Sequence, residues 1–310
     1  MTVDAIVIGA GFAGLYGVHR VVSEGMTVLG IEAAPSVGGT WYWNRYPGAR
    51  CDVESVGYPY SFDGDLQNDW TWSERFAAQP EILAYLEHVA DRFNLRRHYL
   101  FDTEVVGARF EDAGGAWVVE TSAGERHRGR FLFCATGCLS AVNRPDIRGL
   151  ADFAGEVYYT AAWPREDPKL RGKKVGVIGT GSSGIQAVPI LAAEAESLVV
   201  FQRSPNYTVP MPNYPWSDED LERIRQEYPE RRRRSAYAPA GTPHGTYTRT
   251  RSTRIPRSGR RRCGVAGVTA GCCSARRSRP DVGACGQRHR AAVRRGPHPR
   301  LLTTRPLRRI

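Results

Sequence analysis

Short apolar runs alternate with mixed stretches over the first 250 residues, and this order disappears beyond them. Val3–Ile8 is an apolar run broken only by Asp4, the length of a buried strand. A helix is expected from about Phe12 to Ser23, with Gly25 just past its end, followed by a second apolar strand at Thr27–Ile31. Another helix starts near Pro80 and carries Ile82, Leu83, Leu86, Val89, Ala90 and Phe93 on one face. Thr103–Phe110, Trp117–Thr121 and Arg130–Cys134 read as three strands of a meander, with turns at Gly114-Gly115 and Ala123-Gly124. A second strand–helix–strand unit spans about Lys173 to Arg203. Pro205, Pro210, Pro212 and Pro215 make the following stretch extended. Asp218 to Glu227 predicts a short polar helix, and Arg231–Arg234 a solvated charge run.

Each strand–helix–strand unit carries the same glycine pattern at its first turn. Gly9, Gly11 and Gly14 follow the run Ala5–Ile8, and Gly179, Gly181 and Gly184 follow Val175–Ile178. Such a loop lets backbone approach a pyrophosphate on the helix N-terminus. One copy is weak evidence, but two copies in the right context make an α/β chain of two Rossmann-like dinucleotide-binding domains. The expected architecture is three-layered, with parallel sheets and a β-meander. The residues after each second strand differ in charge. Glu32 ends the first, where a carboxylate accepts from ribose hydroxyls and repels a 2′-phosphate, as FAD or NAD requires. Gln202 and Arg203 end the second, where a guanidinium suits the 2′-phosphate of NADP. Thr180, Ser182 and Ser183 complete the second loop. One site for FAD and one for NADPH describes a flavoprotein that takes hydride from a nicotinamide.

The loop Gly38–Asp52 holds Trp41, Tyr42, Trp43 and Tyr46 within a few residues. These rings either anchor the loop on the core or form a wall for a planar cofactor. The last 60 residues change the charge picture. They contain seventeen Arg, no Lys, a single acid (Asp281) and no aromatic residue, a net of +16. The whole chain is +11, so residues 1–250 carry −5, and the basic balance gives no sign of nucleic-acid binding by the body. Residues 251–310 are expected to be disordered, with the composition that a GC-rich gene yields in the wrong reading frame. The expected domains are 1–145 for FAD, 146–250 for NADP and 251–310 as tail. Cys51, Cys134 and Cys138 read as reduced and structural, and the tail cysteines lack the spacing of a metal site. No secretion signal or membrane-length apolar stretch is present, so the body is expected to be cytoplasmic.

The aromatic loop and the linker together resemble a known family, the Baeyer–Villiger monooxygenases. Its fingerprint F-x-G-x-x-x-H-x-x-x-W-P lies between two GxGxxG motifs. Phe153, Gly155, Trp163 and Pro164 stand at those spacings, and Tyr159 replaces the His. Gly38–Asp52 and Gln202–Asn206 also look like the family, most closely its phenylacetone- and cyclohexanone-oxidising members. The likeness covers about residues 1–250. It implies that Gly9, Gly11, Gly14, Glu32, Gly39, Thr40, Trp41, Asp52 and Tyr58 lie on FAD. It implies that Gly179 to Gly184, Arg203 and Ser204 lie on NADP, with Arg50, Cys51 and Asp52 near the nicotinamide. It further implies that a ketone and O2 react through a flavin peroxide to give an ester or lactone. In the family, an Asp matching Asp52 orients an Arg for which this sequence has no counterpart. The expectation is therefore a truncated member that does not itself oxygenate ketones. A non-catalytic nucleotide-binding fragment and a flavin-dependent N- or S-oxygenase are the alternatives. A disulfide reductase is disfavoured because no redox cysteine pair follows the first helix.

Overall fold

The computed structural model describes residues 1–238 except 140, 205 and 207, together with the short strand Thr269–Gly271. Strand β1 (Thr2–Ile8) leads through a glycine turn into helix α1 (Phe12–Ser23), which returns to β2 (Val28–Ile31). The boundaries match the apolar pattern to within a residue. Helix α1 buries Gly14, Leu15, Val18 and Val21 at helical spacing, and Gly25 ends it with φ +72°. The chain then makes α2 (Thr40–Trp43), α3 (Gly64–Asp69), α4 (Gln79–Arg92) and the short strand β3 (Tyr99–Leu100). The meander follows as β4 (Val105–Glu111), β5 (Ala116–Thr121) and β6 (Arg126–Cys134). These six strands form one sheet in the order β3-β2-β1-β6-β5-β4. Strands β3, β2, β1 and β6 run parallel, and β5 and β4 continue antiparallel from β6.

The main core lies where α1, α4 and the loop between α2 and α4 meet. Trp72, Phe76 and Tyr85 are its largest fully buried side chains, with Leu15, Leu66, Ile82 and Leu86 around them. Pro80 starts α4, where its missing N–H costs nothing.

The second unit consists of β7 (Lys174–Ile178), α5 (Ser182–Glu194) and β8 (Ser197–Phe201), with β7 and β8 paired in parallel as a two-stranded sheet. Strand β9 (Val209–Met211) pairs antiparallel with β10 (Thr269–Gly271). The tail was expected to contain no strand, so β10 departs from that reading; the rest of 251–310, including its four cysteines, lies outside the described residues.

Helix α6 (Asp218–Tyr237) corrects the sequence reading. The helix does not stop at Glu227, and Arg231–Arg234 belong to its last turns, with Arg233 and Arg234 solvated as expected and Arg231 and Arg232 half-buried. It passes through Pro229 because Ile224 and Tyr228 are buried in the main core. The pairs Glu227–Arg231 (3.1 Å) and Glu230–Arg234 (2.7 Å) span its turns. Arg232 donates to the Pro59 carbonyl and to Gln67. Among the described residues no helix is long and apolar enough to cross a membrane.

Candidate nucleotide-binding site

The first glycine loop is built by close backbone packing. A Cβ on Gly14 would lie 1.9 Å from the Gly9 carbonyl oxygen, and one on Gly9 would lie 2.5 Å from that of Ala135. Gly9 also has φ +102°, a region that L side chains rarely adopt. Gly11 packs against Gly39, whose own Cβ would come within 2.7 Å of the Gly11 Cα. Helix α1 begins at Gly11 with no side chain capping its first turn, so those amides and the positive end of the helix dipole are free for an anion. Glu32 stands at the end of β2, buried, and accepts from the amides of Ala10 (2.6 Å) and Ala34 (2.8 Å), one on each carboxylate oxygen. Each oxygen keeps a lone pair for a hydroxyl. The loop and Glu32 therefore fit an adenosine diphosphate moiety.

The second loop has the same shape in looser surroundings. Gly179 repeats φ +102°, but a Cβ there or on Gly181 would meet nothing within 4 Å. Gly184 alone repeats the close contact, 2.6 Å from the Gly179 oxygen. Helix α5 likewise starts at Gly181 without a side-chain cap. The loop borders a cavity of about 1060 Å³ between the 142–163 segment and the face of β7, with Phe201 on its wall. Arg203 and Ser204 are exposed beyond β8. Two amides close this segment on the loop: Gln202 donates to the Thr180 hydroxyl (3.1 Å) and Asn206 to the Thr180 carbonyl (2.7 Å).

The aromatic loop joins the two. Thr40–Trp43 is a helical turn, not a loop, and Tyr42 and Tyr46 are buried as anchors. Trp41 is half-buried and meets Tyr58 edge-on at 5.9 Å. Arg50 does not point freely outward. Its guanidinium binds Glu74 (3.1 Å) and the Phe76 carbonyl (3.1 Å). Cys51 is buried beside it, and burial pushes its thiol up to about 12, so it stays protonated. Asp52 is exposed. The protein mass around it raises its carboxyl above the usual carboxylate range, and a hydrogen bond from Gln186 acts in the opposite sense. Among the described residues the Asp52 carboxylate has Gln186 as its hydrogen-bond partner (3.0 Å) and no guanidinium. Cys134 and Cys138 are free and exposed, so of the three body cysteines only Cys51 belongs to the core.

Gln186 is the site residue that the sequence reading passed over. It lies one turn into α5, 5% exposed, and its amide pairs with the loop in both directions. Its oxygen accepts from the Tyr46 hydroxyl (2.9 Å) and the Arg50 amide (3.4 Å); its nitrogen donates to the Arg50 carbonyl (3.2 Å) and to Asp52. A Cβ on Gly48, which has φ +80°, would lie 2.5 Å from the Gln186 carbonyl oxygen, so glycine lets the loop pack directly on α5. The available signal was a single amide within the apolar stretch Ile185–Leu191.

A family model described as pyridine nucleotide-disulphide oxidoreductase matches residues 6–238. A Baeyer–Villiger monooxygenase from Pseudooceanicola batsensis is 48% identical over 226 residues, covering 73% of this chain and 41% of that protein. An oxidized steroid monooxygenase bound to NADP aligns with a TM-score of 0.76 at 54% identity, over 79% of this chain and 47% of that one. OTEMO in complex with FAD and NADP aligns with a TM-score of 0.73 at 45% identity, over 78% and 46%. The chain thus spans less than half the length of the curated relatives it matches. With two glycine loops, an acid after β2 and an arginine after β8, and with these matches, the chain belongs to the Baeyer–Villiger monooxygenase family.

Proposed function

We propose that residues 1–145 hold FAD and residues 146–250 hold NADPH in a monooxygenase that acts on a ketone with O2. The observation that carries the reading is the pair of uncapped helix N-termini behind glycine loops, with Glu32 beside the first and Arg203 beside the second. The amides of α1 and α5 bind the two pyrophosphates. Glu32 accepts from the ribose of FAD, and Gly39, Thr40, Trp41 and Tyr58 line the flavin side. Arg203 and Ser204 take the 2′-phosphate of NADPH. A flavin held there would supply the redox chemistry between NADPH and O2. The chain's own task in that chemistry is to align the two nucleotides, and Arg50, Cys51 and Asp52 lie at the junction where they meet.

Oxygen transfer to a ketone needs a cation held beside the reacting oxygen. The described residues place Gln186, not a guanidinium, on Asp52. The purified chain supplied with FAD, NADPH, O2 and phenylacetone or cyclohexanone is therefore expected to consume NADPH and release hydrogen peroxide. Ester or lactone formed in step with NADPH would show that a cation reaches Asp52 from elsewhere in the chain. Failure to consume NADPH or to bind either nucleotide would overturn the reading.

A further inference from the structure

We infer that Gln186 is a positioning residue that makes the two nucleotide sites interdependent, an inference that rests on the assignment of FAD and NADP to the two loops. Hydrogen bonds tie helix α5 to residues 46–52 of the aromatic loop, whose Gly38 and Gly39 in turn contact Ala10 and Gly11 of the first glycine loop. Ser183, in the second glycine loop, lies close to the Tyr46 hydroxyl and favours its ionised form. That hydroxyl donates to Gln186, and Gln186 grips the backbone of Arg50 and the side chain of Asp52. Every link but the last is to a half-buried or buried group, and Gln186 is nearly inaccessible.

The geometry makes this more than a packing contact. Gln186 and Ser183 sit on one helix, three residues apart, so an anion that fixes the start of α5 also fixes the amide. The amide in turn sets the path of residues 50–52. A buried amide that satisfies two donors and two acceptors has a strongly preferred orientation, and rotating it by half a turn would put like against like at the Arg50 amide, the Arg50 carbonyl and the Asp52 carboxylate. The junction is therefore ordered as a unit. A nucleotide bound on one side fixes a structure that the other nucleotide needs, so the second binds to a junction already in place. Linkage requires the effect to be equal in both directions.

The test is fluorescence titration of the full chain with FAD, with and without saturating NADP⁺, and the reverse titration. The unaltered chain should bind each nucleotide about tenfold more tightly in the presence of the other. Gln186→Met keeps the volume and removes all four bonds. Its coupling factor should fall below about twofold, and the change that NADP⁺ causes in the flavin absorption spectrum should vanish. Gln186→Glu is the second variant, in case the first unfolds. It keeps the two bonds accepted by the side-chain oxygen, loses those donated by the nitrogen and faces Asp52 with a like charge. It should lose coupling too, while circular dichroism shows the fold intact. A coupling factor unchanged in either folded variant, or no coupling in the unaltered chain, overturns the proposal while leaving the site assignment standing. No binding of either nucleotide to the unaltered chain overturns both.

Discussion

The two glycine loops share a sequence pattern, a helix start and a φ of +102° at the first glycine, yet they stand in different surroundings. Strands β1 and β2 are buried on both faces within a six-stranded sheet. Strands β7 and β8 form a two-stranded sheet whose Ile178, Val199 and Phe201 are more than half exposed. In the first loop the glycines answer to the protein's own packing, because Ala135 and Gly39 press on them. In the second, Gly179 and Gly181 face open space, so beyond the positive φ of Gly179 no packing contact requires them to be small. One motif thus serves two purposes: structural necessity in the first unit, and open space in the second.

Substitutions at matched positions should separate these purposes. The largest difference is expected between Gly9→Ala and Gly179→Ala. Both residues would be strained by a positive φ, which costs on the order of 1–2 kcal/mol. Gly9→Ala adds a collision with the Ala135 carbonyl and should cost about 4 kcal/mol or more, as buried backbone clashes do. Urea unfolding followed by circular dichroism reads both values. Equal costs would mean that the second loop is packed as tightly as the first.

A smaller contrast concerns the sheets themselves. Ile6 is fully buried in β1, and Ile6→Ala should cost about 2–5 kcal/mol. Val199, 54% exposed in β8, should cost about 0.5 kcal/mol or less on truncation to Ala. The same denaturation series measures the pair. A cost at Val199 close to that at Ile6 would show that the β8 face is covered in solution.

This contrast also explains what the sequence revealed. The first unit was legible nearly to the residue, because a strand buried on both faces is a continuous apolar run and α1 has a glycine stop. The shape of the glycine loops and the place of a carboxylate at the end of β2 were legible because their chemistry is local. Helix α6 was misread because Pro229 and four consecutive arginines look like a break, whereas Ile224 and Tyr228 anchor it through contacts distant in sequence. The helical turn Thr40–Trp43 leaves no mark in the sequence, because four residues are too few to display helical spacing. Gln186 was missed for a related reason. Its partners Tyr46, Arg50 and Asp52 are over 130 residues away, and only the fold brings them to it.

The central claim, two nucleotide sites of opposite preference in one chain, is tested most directly by crossed titrations of the purified protein. Glu32→Gln should weaken FAD and leave NADPH untouched. Arg203→Ala should weaken NADPH by roughly 10- to 100-fold and leave NADH nearly unchanged, the loss of a charge-assisted bond to the 2′-phosphate. The unaltered chain should bind one FAD and one NADPH without competition. Mutual displacement of the two nucleotides, or equal losses of NADPH and NADH in Arg203→Ala, would contradict the account.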